Sequence, residues 1–273
     1  MTLPSSGNPI SLNQMHIEAG GSGVSGTQAS LNDADIRGLI GKGDQAVNSF
    51  NDYFGASSSQ PTATFIKRLK TTGDGFPSGS ATLSSGSKLV VVCMTLGGIT
   101  STTPNSYVSC GGVNMTLAAR LRQPHPSVFT NLHFDVAIYY LVTSASGSTS
   151  FTGNGGSGRS TISVFEVSGY DSSTPYTTDT AYNTASDNTL GITVDGEYNG
   201  LTMGAAMSID GTGGGTPITI TNTDFLQQDN LQSATAHCSF YDTATPSGNR
   251  TYTYTNTTDT QAQPITIVTA SWK

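Results

Sequence analysis

The chain has 273 residues, of which only 11% are charged, and its net charge is −7. That length admits one large domain with a small appendage, and an acidic chain is not drawn to nucleic acid. Runs of β-branched and aromatic residues exclude a wholly disordered chain, despite the abundance of Ser, Thr and Gly.

The opening residues, Met1-Thr2-Leu3-Pro4-Ser5-Ser6-Gly7, carry neither a basic nor an apolar stretch and do not read as a signal peptide. A unit of serine, an apolar residue and asparagine then recurs every 19 residues: Ser11-Leu12-Asn13, Ser30-Leu31-Asn32 and Ser49-Phe50-Asn51. An amide or acid follows each one, namely Gln14, Asp33 and Asp52. A serine with such a partner three residues on is the pattern of a capping box, in which each residue satisfies a backbone N–H near the other. Apolar residues follow at matching places, Leu12, Met15 and Ile17 in the first copy, and Leu31, Ala34 and Ile36 in the second, which continues with Leu39 and Ile40. Two short helices are expected, ended by Gly20-Gly21 and by Gly41. The third copy reads as the tail of a helix that begins at Asp44. Helices this short are marginal alone and must dock on each other, on the body or on a neighbouring subunit. Residues 1–57 therefore read as an attachment or interface module, in which Leu12, Met15, Ile17, Leu31, Ile36, Leu39, Ile40, Phe50, Tyr53 and Phe54 are the expected interface residues.

Residues 56–61 read as a linker, and beyond them the apolar period becomes two. Strands are expected over 64–70, 88–96, 106–110, 113–122, 133–143, 160–168, 190–194, 201–209, 217–221, 234–241, 250–256 and 265–272, separated by Gly, Pro, Asn, Asp and Ser clusters. Cys110-Gly111-Gly112-Val113 has the form of a tight hairpin. No helical pattern separates these strands, so the expected fold for residues 58–273 is mainly β, an antiparallel two-sheet sandwich of jelly-roll type. Val90, Val92, Met94, Val136, Ile138, Tyr140, Ile162, Val164 and Met203 are the expected core. Lys67-Arg68-Leu69-Lys70 reads as a solvated strand edge. No apolar run is long enough to insert into a membrane as a helix; the longest is 89–94. Cys93, Cys110 and Cys238 are expected to be buried free thiols.

Chemistry is sparse. Residues 153–160 approach the phosphate-loop pattern with Arg159 for lysine, but a strand rather than a helix follows, so a Gly-rich hairpin tip is expected. The histidines, His16, His125, His133 and His237, form no metal-binding motif, and the acids match no calcium loop. Neither a metal nor a cofactor is expected. Glu166 on a strand reads as solvent-facing rather than catalytic. The strongest candidate binding residues are Tyr170, Tyr176 and Tyr182, aromatic side chains near Asp171, Asp179 and Asn183 that would suit a glycan.

The residues Leu3-Pro4-Ser5-Ser6-Gly7, Ile10-Ser11-Leu12-Asn13-Gln14 and Ile17-Glu18, followed by Gln28-Ala29-Ser30-Leu31-Asn32-Asp33 and Arg37-Gly38-Leu39, resemble the N-terminal module of virion structural proteins of tailed bacteriophages, cyanophages and other marine phages among them. The resemblance spans about 50 residues, a fifth of the chain. It implies a virion part rather than an enzyme and does not fix its place on the virion; the expected one is a tail- or baseplate-associated fibre or appendage, assembled in the host cytoplasm. Its partners would be other virion proteins and further copies of itself in a trimer or ring. A capsid decoration protein is the alternative, and a module binding host-surface glycan a further one.

Overall fold

A computed structural model of the chain describes residues 3, 10–20, 29–40, 47–53, 61–71, 76–99, 107–124, 133–154, 159–170, 172–183, 188–196, 200–209, 218–231, 235–245, 248–256 and 265–273. Near the N-terminus lie α1 (Leu12–Glu18), α2 (Ala34–Gly38) and a single 3-10 turn (Phe50–Tyr53). α1, at seven residues, makes about two turns, while α2 has only five residues. Gly20, at φ +91°, takes the left-handed conformation just past α1 that glycine tolerates best. Gly21, Gly41 and Asp44, the other expected boundaries, lie outside the described residues.

Antiparallel strands make up most of the remaining described residues. The first nine are β1 (Thr62–Thr71), β2 (Gly79–Leu83), β3 (Lys88–Ile99), β4 (Tyr107–Cys110), β5 (Val113–Asn114), β6 (Thr116–Pro124), β7 (His133–Thr143), β8 (Gly147–Asn154) and β9 (Arg159–Ser168). They form a five-stranded sheet of order β1-β9-β3-β7-β6 and a four-stranded sheet of order β2-β8-β4-β5. The following strands are β10 (Thr177–Asn183), β11 (Thr189–Gly196), β12 (Gly200–Ile209), β13 (Ile218–Ile220), β14 (Phe225–Leu231), β15 (Thr235–Thr245), β16 (Gly248–Asn256) and β17 (Ile265–Trp272). Their sheets run β10-β17-β12-β15-β14 and β11-β16-β13.

The two halves therefore repeat one strand order, with β4 and β5 together standing where β13 stands. The chain is mainly β and antiparallel as expected, but among the described residues four sheets, not two, pack face to face. Leu89, Val91, Cys93, Val136, Ile138, Phe165 and Val167 meet Leu201, Met203, Ala205, Val268, Ala270 and Trp272 in a core between the two five-stranded sheets. The opposite face of the first large sheet, with Val90, Val92, Met94, Ile162 and Val164, packs on Ala81, Leu83, Val108 and Phe151 of the four-stranded sheet. In the second half Ala206, Phe240, Ile265 and Ile267 face Ile192, Val194, Ile218, Tyr252 and Tyr254. Strands covered on both sides need apolar residues at every position rather than every second one, which is why residues 89–94 run unbroken. All the expected core residues are buried except Tyr140, which is partly so.

Where the halves meet, one edge contact is aromatic: Phe65 of β1 stacks on Phe225 of β14 at 5.2 Å, and Arg68 Nη1 donates to the Gln228 carbonyl. At the other edge β6 lies against β10. First strand thus meets fourteenth, and sixth meets tenth, as a local two-fold relation between the halves demands. A buried polar chain also crosses this core, Thr161 Oγ1 to Thr95 Oγ1 at 2.7 Å and Thr95 Oγ1 to His237 Nδ1 at 2.6 Å.

The hairpin at Cys110-Gly111-Gly112-Val113 is present, with both glycines at positive φ and Cys110 paired to Val113, as a two-residue turn of this hand requires. β1 is an edge strand, as the lysine-rich segment predicts, and Lys67 Nζ donates to the Ser80 carbonyl at 2.8 Å. The strands on either side of the Gly-rich residues, β8 and β9, belong to different sheets and so do not form the expected hairpin; residues 155–158 lie outside the described residues. Cys93, Cys110 and Cys238 are free and buried. Burial pushes the Cys110 thiol up to about 11 and the other two higher still.

Candidate functional site

Each repeat unit closes with the same bond. The serine N–H donates to the side chain three residues later: Ser11 to Gln14 Oε1 at 2.7 Å, Ser30 to Asp33 Oδ2 at 2.8 Å and Ser49 to Asp52 Oδ2 at 2.7 Å. In the first unit the Gln14 N–H also donates back to Ser11 Oγ at 3.2 Å, completing a capping box. In the second, Ser30 Oγ instead accepts from the Asn32 N–H at 3.1 Å. The Asn48 amide then ties the last two copies, donating to the Leu31 carbonyl at 2.9 Å and to Tyr53 Oη at 3.0 Å.

The apolar residues of this region divide into two groups. Met15, Ile36, Leu39 and Tyr53 are buried in a cluster of their own with Leu3, and Ile10, Leu12, Leu31 and Ile40 pack partly against it. Those residues are occupied within the chain, so they do not present a free face to a partner. Ile17 and Phe50 remain exposed, at 38% and 41%, with Val47 beside Phe50 in the chain at 92%. Phe54 lies outside the described residues. Helical periodicity marks a residue as apolar-faced without saying which surface covers it.

The three tyrosines do not converge. Tyr170 is partly buried against the central core. Tyr182 is exposed on β10, and its distance from Tyr176 is roughly 20 Å at the rise of a strand. Asp171, weighed with them in the sequence, lies outside the described residues. Tyr176 alone reaches a concave surface. A cleft of about 210 Å³ opens between β6 and β10, lined by Leu117, Ala118, Tyr140, Pro175, Tyr176 and threonines 174, 177 and 178.

Local bonds shape this cleft. Trp272, fully buried at the end of β17, donates from Nε1 to the Ser173 carbonyl at 3.0 Å and meets Tyr140 edge-on at 6.3 Å. The Tyr176 N–H donates to the Ser271 carbonyl at 2.7 Å. The 172–176 segment is so pinned along β17, and the Tyr176 ring stands out at 52% exposure. No acid or base lines the cleft; its means of recognition are two aromatic rings, threonine hydroxyls and apolar walls.

Glu166, weighed in the sequence as a lone carboxylate, accepts from the Ser84 N–H at 2.7 Å and so braces the turn between β2 and β3. Among the described residues no group of three or more His, Cys, Asp and Glu is placed to hold a metal ion, and no helix is long and apolar enough to cross a membrane. Sequence reasoning misses the cleft because its walls come from positions some 60 residues apart that only the meeting of two sheet edges brings together. No model of a protein family matches the chain, and no curated protein or solved structure matches it.

Proposed function

We propose that the chain is a structural part of a tailed-phage virion, a tail- or baseplate-associated fibre or appendage. In this reading residues 1–57 form the attachment domain, residues 58–273 project outward, and copies assemble as a trimer or ring. The observation that carries it is the repeat: three units at one spacing, each closed by the same serine N–H bond. Such local regularity supports the resemblance to phage attachment modules. Because Met15, Ile36, Leu39 and Tyr53 are occupied within the chain, attachment falls to the exposed Ile17, Val47 and Phe50.

The body is read as two jelly rolls in tandem. In each half the first strand lies beside the last and the third beside the one before the final two, while the second lies beside the penultimate in the other sheet. That order suits two interlocked Greek keys.

Deleting residues 1–57 leaves a folded, soluble body that no longer enters particles; recovery of the truncated protein in purified virions at normal copy number would sink the proposal. A C-terminal tag labelled with gold on intact particles separates the appendage from the capsid-decoration alternative, by label on the tail or over the head.

Glycan binding is a second reading, favoured by the exposed Tyr176 ring beside Tyr140 in the cleft. Stacking of a sugar on that ring predicts signal on a glycan array that Tyr176→Ala reduces by about tenfold or more, taking roughly 1.4 kcal/mol or more for the lost contact. An unchanged array profile removes Tyr176 from any such role.

A further inference from the structure

The edge of the first half carries a basic cluster that strand pairing does not require. In the β6–β7 ladder Arg122 lies opposite Asp135, and Pro124 opposite His133. Phe134 and Val136 turn into the central core, with Leu121 packed partly against it. By strand alternation Arg120, Arg122, His133 and Asp135 share the other face. Asp135 is fully buried and engaged by Arg120, whose Nε donates to Oδ1 at 2.8 Å while Nη2 donates to Oδ2.

Arg122 is placed differently. Its Nε and Nη2 are shielded from solvent and have no hydrogen-bond partner among the described residues, and the same is true of His133 Nδ1. Buried polar atoms normally find partners, and leaving a charged donor unpaired is costly, so an arrangement of this kind calls for a bound water, ion or ligand. Burial lowers the pKa of the Arg122 guanidinium; the Asp135 carboxylate opposes that, and Arg120 adds to it. The matching edge pair of the second half, β14 with β15, contains no arginine at all.

Nε and Nη2 are the two donors along one edge of the guanidinium, and their spacing matches the two oxygens of a carboxylate. We propose that Arg122, with His133 diagonally across the ladder, forms a binding site for a small carboxylate ligand. Asp135 is engaged by Arg120, and neither Arg122 Nε nor Nη2 makes a hydrogen bond to it. The site is independent of the virion reading and would stand if that reading failed.

The test uses the full chain, ¹⁵N-labelled, titrated with acetate and with galacturonate while the Arg122 Nε–H resonance is followed. Both carboxylates move it saturably, and neutral galactose does not. Arg122→Gln and Arg122→Lys each weaken binding about tenfold or more, because lysine keeps the charge but not the paired donors. Lys67→Gln, on the exposed edge of β1, leaves binding unchanged. An Nε–H resonance that ignores both carboxylates overturns the assignment, as does binding that survives Arg122→Gln. Sulfate or phosphate binding as tightly at equal ionic strength, or a non-saturating response to every anion, overturns it too. Should the variants fail to fold, the wild-type resonance alone decides.

Discussion

Asp242→Ala lowers the stability of the protein by about 3 kcal/mol or more, the scale set by removing one member of a buried ion pair. The Asp242 carboxylate has no solvent exposure. It lies 2.7 Å from Arg250 Nε and accepts from Tyr252 Oη at 2.8 Å. Burial pushes the Tyr252 phenol well above its ordinary pKa, so the hydroxyl remains a donor throughout the neutral range. Truncation removes the ion-pair partner of Arg250 and the acceptor of Tyr252 at once. Arg250 is 20% exposed and can recover some hydration, which holds the effect to the lower part of the range for buried pairs. In thermal unfolding the midpoint falls by roughly 6–12 °C for a chain of this size. Asp242→Asn, which keeps the shape and an acceptor for Tyr252, falls less. If Asp242→Ala and Tyr252→Phe prove additive in a double-mutant cycle, the two side chains do not act as a unit and the argument fails.

Gly204→Ala is the second large effect, and its cause is steric. Gly204 sits in β12 opposite Phe240 of β15. An added Cβ would lie 2.1 Å from two carbons of the Phe240 ring, which is fully buried and has no room to swing away. Overpacking of this kind costs about 1–3 kcal/mol and sometimes more. Phe240→Leu in the same chain should restore part of the loss, since a shorter side chain vacates the space above residue 204. Urea unfolding of the two single variants and the double variant measures this. Equal destabilisation by Gly204→Ala with and without Phe240→Leu would show that ring contact is not the cause. A similar device holds the first half, where the Phe76 ring occupies the space beside Gly153.

The strands differ in how legible they are, for a physical reason. Strands 133–143 and 265–272 are readable from sequence to the residue, because both faces lie in cores and the apolar runs are long. β2, β8, β10 and β14 escape detection. Each is rich in Gly, Ser, Thr or Gln and packs by one face or lies at a sheet edge; β10 alternates only between half-buried and exposed. Losing those strands hides the duplication, since the count then fits one sandwich better than two. Among the candidate site residues, the spacing of Ser11, Ser30 and Ser49 is plain in the sequence, and so is the bond each makes, because that bond is local.

Local chemistry thus settles within the sequence whatever depends on neighbours a few residues away: the repeat and its serine bonds, the Gly111-Gly112 turn, and the mainly antiparallel β character. Tertiary structure alone decides what those pieces face. It turns Met15, Ile36, Leu39 and Tyr53 inward and leaves Ile17 and Phe50 outside. It sets two sheet pairs back to back, opens the cleft at Tyr176, and places Arg122 across from Asp135 with its own donors unpaired among the described residues. The period of a strand or helix reports that a side chain is to be covered; only the packing of distant segments says by what.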